Sequence, residues 1–138
     1  MRLKFIIVIC FALVAMVVSC QSDEIIEFNR YYVNGSTVYQ VHCQNCHGAK
    51  GEGLQGLIPS LTDSAYLKNN REVLACFIKK GLKGNITINN KNYEGEMPPD
   101  DLAPLEIAQV LTYITNSFGN KMPTINTEKV NADLAKCR

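Results

Sequence analysis

Cys43-Gln44-Asn45-Cys46-His47 is a CxxCH pentapeptide, and it constrains this chain more than any other feature. Two thiols one helical turn apart can form thioether bonds to the two vinyl groups of one porphyrin. The histidine that follows is then set beneath the iron as its proximal ligand. The same residues could instead form a CxxC redox pair or half of a zinc site. A dithiol motif is expected near a βαβ pattern, and none surrounds this one. A zinc site needs its remaining ligands close by and similarly paired, whereas Cys76 and Cys137 are single and far apart. The motif therefore points to one covalently attached haem c.

The 138 residues suit one domain behind a removable start. Arg2 and Lys4 form a basic beginning, and an apolar run follows from Phe5 to Val18. That run is short for a spanning helix and reads as the core of a secretory signal. It ends in Val17-Val18-Ser19-Cys20, which resembles a bacterial lipobox: aliphatic and small residues before a cysteine that is lipidated and becomes residue one. An uncleaved anchor or ordinary signal cleavage is the alternative. Either way the domain leaves the cytoplasm. The expected organisation is a lipoprotein signal over 1–19, a lipidated Cys20 with a tether over 20–33, and a haem domain over 34–138.

Cysteine usage agrees with export. Of six cysteines, Cys10 leaves with the signal, Cys20 takes lipid, and Cys43 and Cys46 take haem. Cys76 and Cys137 remain, natural disulfide partners in an oxidising compartment, the alternative being two separate free thiols. A bridge between them would be worth roughly 4 kcal/mol in the chain-entropy model. Charge excludes less. Without Arg2 and Lys4 the chain carries twelve basic and thirteen acidic side chains, and no polybasic run suggests nucleic acid. Bases predominate between residues 50 and 92, while Glu94, Glu96, Asp100, Asp101 and Glu106 follow with no base among them. This is either an ordinary solvated surface or a dipole that turns the haem edge toward a charged redox partner.

The pattern predicts helices around one short hairpin. A helix is expected from Ser36, as N-cap, into the haem motif. Gly48, Gly51, Gly53 and Gly56 make an irregular loop whose small residues allow close approach to the porphyrin. Thr62 is read as the cap of a single turn, and Asn70 as the cap of a helix with Val73, Leu74, Phe77 and Ile78 inward and Gly81 as its stop. Ile86–Ile88 and Asn92-Tyr93 flank Asn89-Asn90-Lys91 as a small hairpin. Met97-Pro98-Pro99 is an extended loop. A helix opens at Pro104 with Ile107, Val110, Leu111, Ile114 and Phe118 on one face, and stops at Gly119. A last short helix, capped by Thr127, presents Cys137 to the body of the protein.

The chain resembles class I c-type cytochromes, specifically the short single-haem bacterial kind found alone or as the haem module of oxidases and dehydrogenases. The resemblance covers about 34–119, with 120–138 as an added C-terminal clamp. It implies a mainly α fold, helices wrapped around one covalent haem. Gly35 and Tyr39, eight and four residues before Cys43, match a family glycine at a close helix crossing and the aromatic packed against it; Val110 and Tyr113 are the facing positions. Pro59, twelve residues after His47, matches the proline whose carbonyl accepts the ligating ring's N–H, a contact that fixes tautomer and basicity. Met97 lies where the family carries its distal iron ligand, and thioether ligation favours ferrous iron. Met122 lies beyond the C-terminal helix and is read as packing. His42 is on the same short helix as His47 and is read as solvent-facing or bound to a propionate.

Two functions follow from these readings. One is a lipid-anchored electron carrier, facing the periplasm or outside, that serves membrane or periplasmic redox proteins, alone or as a non-catalytic subunit of a dehydrogenase or oxidase. It takes no small-molecule substrate. The other is a haem enzyme or sensor, peroxidase-like or gas-binding, with a displaceable distal ligand. Nothing in the sequence supplies the distal acid–base pair the latter needs beside an open coordination position.

Overall fold

No proline or glycine interrupts the chain between Arg2 and Asn34, and a single helix, α1, runs over Arg2–His42 in the computed structural model. The remaining elements are α2 (Gln44–His47), α3 (Ser64–Asn69), α4 (Leu74–Lys80), β1 (Ile86–Ile88), β2 (Lys91–Tyr93), α5 (Pro104–Ile114) and α6 (Thr127–Leu134). The structure describes residues 2–88 and 90–137, without the side chains of 2, 3, 5 and 15–22. The chain divides into two compact units, Met1–Arg30 and Tyr31–Arg138. In the first, most of the described apolar side chains, Phe11 and Ile6 among them, are exposed, while Phe28 is half-buried. Among the described residues no helix is long and apolar enough to cross a membrane. The side chain of Cys20, the expected lipidation site, lies outside the described residues.

Continuity of α1 corrects the reading of Ser36. It is internal to the helix rather than its cap, and its Oγ donates to the Val33 carbonyl at 2.9 Å. Residues 21–33, read as a tether, belong to the same helix.

The second unit is mainly helical with one small antiparallel sheet. Its core gathers Tyr39, Leu67, Leu74, Ala75, Ile78, Ile107, Val110, Leu111, Ile114, Ile125 and Val130. Gly35 is where α1 meets α5: a Cβ there would collide with the Gln109 carbonyl and crowd the Cβ of Tyr113. Tyr39, 1% exposed, fills the space beside this crossing with its ring 5.3 Å from both Tyr113 and Phe118. Such tilted aromatic pairs add about 1 kcal/mol each to the area they bury. α5 ends at Ile114, earlier than Gly119. Phe118 is off the helix at φ 57°, and Gly119 follows at φ 90°. That turn brings the Phe118 ring back onto Tyr39.

Several caps differ by one residue from their sequence readings, because the side chain that wins is the one that reaches the open amides. Asp63, not Thr62, caps α3 and accepts from the amides of Ala65 and Tyr66, each at 3.0 Å. Asn70 closes α3 rather than opening α4, donating from Nδ2 to the Tyr66 carbonyl. Asn126, not Thr127, caps α6 by accepting from the Lys129 amide. Val73 stands before the first turn of α4 and is 40% exposed rather than inward. Lys91 pairs with Ile88 inside the sheet rather than in its turn. Gly81 does end α4, at φ 73°.

The C-terminal segment is fastened to α5 by polar contacts as well as packing. Thr112, fully buried, donates from Oγ1 to the Ile125 carbonyl and accepts from the Ile125 amide. Asn120 donates to the carbonyls of Leu61 and Ile114 and accepts from Ser64 Oγ. Cys76 on α4 and Cys137 beyond α6 are bridged by a disulfide with Cα atoms 5.7 Å apart.

Candidate cofactor site

The CxxCH residues sit where α1 gives way to α2, so that the first helix delivers Cys43 and one further turn delivers Cys46 and His47. After His47 the chain doubles back. Gly53 donates its amide to the His47 carbonyl, Leu54 and Ile58 bridge each other, and Leu61 and Ser60 both donate to the Gly51 carbonyl. This folded loop presents the Pro59 carbonyl to His47, whose Nδ1 donates to it at 3.2 Å. Such a bond leaves the other ring nitrogen free of its proton and available to a metal. Burial holds the His47 pKa below its usual range, against the opposing pull of the Pro59 carbonyl, so the ring is neutral as a ligand requires.

Two glycines of this loop are required by the protein's own packing. Gly51 makes room for the Phe118 ring, and Gly53, at φ 68°, lies against the backbone of Ile58 and Pro59. The Tyr39 hydroxyl also donates to the Gly48 carbonyl at 2.7 Å, tying the aromatic cluster to the end of the motif; burial raises its pKa well above the ordinary phenol range.

Met97 comes from the other end of the chain. Its amide and carbonyl both pair with Leu82, at 3.0 and 2.9 Å, just past the stop of α4. A Cβ at Gly81 would collide with the Met97 carbonyl, which is why a residue without a side chain is needed there. Asp100 donates its amide to the Ile78 carbonyl. The loop is also held by charge: Lys83 Nζ lies 2.9 Å from Glu96 and Lys79 Nζ 2.6 Å from Asp101. Sequence reading had set the bases of 50–92 apart from the acids of 94–106. Folding interleaves them, so the two segments neutralise one another along this edge.

Cys43, Cys46, His47, Pro59 and Met97 all line one cavity, together with the apolar side chains of Leu67, Leu74, Phe77, Ile78, Ile88, Leu111 and Ile114. A covalently attached haem can use this chemistry: a largely apolar lining, two thiols one turn apart, a neutral imidazole and a soft thioether. The donor set and the lining fit a covalently bound haem, which Cys43 and Cys46 would hold. Met122 is absent from that lining and packs partly buried against the core.

Sequence reading missed two partners here. Asp100 Oδ2 lies 2.9 Å from Nδ1 of His42, which is thus neither simply solvent-facing nor available to a propionate through that nitrogen. The Cys43 thiol pKa is pushed up to about 11, first by burial and then by the Asp100 carboxylate and Cys46. Leu82 gave no signal at all, since its part is played by backbone atoms. The acidic run itself could have pointed to Asp100, but a run does not say which base each acid meets.

The family model for cytochrome c matches residues 32–117. Two curated relatives, both cytochrome c-552 of Thermus thermophilus, are 30% identical to this chain over 92 residues, 63% of its length. The match covers 70% of one relative and 62%, less than two thirds, of the other.

Proposed function

Because this chain belongs to the cytochrome c family, with its covalently bound haem c and redox protein partners, we propose that it is a single-haem electron carrier with His47 and Met97 as axial ligands. The observation that carries this reading is the convergence of both motif thiols, a neutral, carbonyl-tethered His47 and a loop-borne Met97 on one apolar cavity. When bound, the haem supplies one-electron chemistry, its iron alternating between ferrous and ferric. The chain's own residues do the rest. Cys43 and Cys46 would anchor the haem, Pro59 orients the ring of His47, the Leu82 bridge fixes the backbone of Met97, and the apolar lining would keep water away.

The carrier is exported and held at a bacterial membrane by lipid on Cys20, working alone or as the haem subunit of a dehydrogenase or oxidase. The Val17-Val18-Ser19-Cys20 pattern behind a basic, apolar start supports this part of the reading. Multiple acyl chains on one cysteine give firm attachment where a single chain is marginal. Cys20→Ser should abolish lipid modification and processing by the lipoprotein route; wild-type protein cleaved elsewhere and recovered water-soluble, without lipid on Cys20, would refute the anchor.

Carrier and enzyme separate in one experiment. Purified ferrous protein is mixed anaerobically with a one-electron oxidant, and in parallel with hydrogen peroxide and a reducing dye. Rapid stoichiometric oxidation with no dye turnover above that of free haem fits a carrier. Sustained turnover identifies a haem enzyme with a displaceable distal ligand.

A further inference from the structure

The hydrogen bond between His42 and Asp100 joins two segments that the cofactor would otherwise hold apart in function. His42 is the residue immediately before Cys43, at the end of α1, and Asp100 follows Pro99 in the loop that carries Met97. Both line the cavity, their side chains are 35% and 31% exposed, and Nδ1 and Oδ2 stand 2.9 Å apart. The Asp100 amide is already bound to the Ile78 carbonyl, so this carboxylate is presented from a fixed backbone. The other charged contacts of the loop, Lys79 with Asp101 and Lys83 with Glu96, run to α4 and the residue stretch after it. Only His42–Asp100, among the described ion pairs, reaches across to the attachment motif.

We propose that His42 and Asp100 are positioning residues that strap the Met97 loop to the haem-attachment helix and thereby limit access of outside ligands to the sixth iron position. The proposal rests on Met97 being the distal ligand. With haem bound, an exogenous ligand would have to displace Met97, which would require the segment carrying it to move. A contact made only while the loop is closed opposes that step by its own free energy, whatever the contact's worth to global folding. A neutral imidazole with its proton on Nδ1 donates to Asp100 as an imidazolium does, so the strap is not tied to one protonation state.

The test uses ferric holoprotein and imidazole as the probe, with its affinity read from the visible spectrum. His42→Ala and Asp100→Ala should each bind imidazole about threefold to fivefold more tightly than wild type, the range expected of one half-exposed charged hydrogen bond. The double variant should match either single one, because both remove the same contact. Lys83→Ala, which breaks a loop contact that does not reach the motif, should stay within about twofold of wild type. Wild-type affinity in both single variants, or effects that add in the double variant, would overturn the strap. Met97→Ala is the separating control: imidazole affinity unchanged in that variant would mean that Met97 is not the ligand, and the underlying reading would fall with the proposal.

Discussion

The crossing of α1 and α5 and the loop that carries Met97 are held by opposite means. At the crossing, Gly35 lies against the Gln109 backbone and the rings of Tyr32, Tyr39, Tyr113 and Phe118 pack tilted or edge-on at centroid distances of 5.2 to 5.8 Å. Burial supplies the energy there, and little of it can be removed without a cavity or a clash. The loop has two backbone hydrogen bonds to Leu82, one from Asp100 to Ile78, and a fringe of exposed charges. Met97 itself packs partly buried against the core, but the rest of the loop is placed chiefly by these polar contacts. One region therefore carries stability and the other sets the position of a ligand, so substitutions in the two should register in different measurements.

The largest effect should come from outside both regions, at the covalent bridge between α4 and the segment after α6. Cys137→Ser removes a bridge spanning a sequence separation of 61 and should lower unfolding free energy by about 4 kcal/mol, less any strain relieved. Denaturant titration of the holoprotein measures it, and the visible spectrum should not change. A spectrum that shifts along with stability would blur the division between the two regions. Next comes Gly35→Ala. Its new methyl meets backbone, which cannot rotate away, and the cost should be about 3 kcal/mol by the same titration. A loss below about 0.5 kcal/mol, the ordinary range of surface substitutions, would mean that α1 and α5 can separate freely.

Tyr39→Phe keeps the ring and loses only the hydrogen bond to Gly48, leaving that part-buried carbonyl without it; about 1 kcal/mol is expected. At the small end, Lys83→Ala on the loop should cost less than about 0.5 kcal/mol, since both partners of its ion pair are well exposed. A larger loss would show that the charges stabilise the fold itself and that the loop belongs with the packed region.

The same contrast explains what could be read from the sequence. The helices of the packed region were legible because burial imposes a period: Ile107, Val110, Leu111 and Ile114 recur at helical spacing, and all are buried. Gly35 and Pro59 were legible from their distance to the motif, since a fixed attachment point turns sequence spacing into geometry. Helix beginnings were less so. Ser36 has the chemistry of a cap, but nothing before it breaks the helix. Thr62 and Thr127 lost to neighbours with longer reach, Asp63 and Asn126. Polar contacts over long separations, such as Thr112 with Ile125 and His42 with Asp100, left no pattern at all. They depend on where two distant segments end up, which only the assembled fold decides.

The central claim is that a covalent haem is ligated by His47 and Met97, and the near-infrared sulfur-to-iron band of the ferric protein tests it most directly. Acid–acetone extraction first establishes that the colour stays with the polypeptide. Wild type and Met122→Ala should both show the band, because Met122 packs away from the cavity. Met97→Ala should lose it and, when reduced, gain affinity for carbon monoxide. Retention of the band in Met97→Ala, with its loss in Met122→Ala, would contradict the assignment.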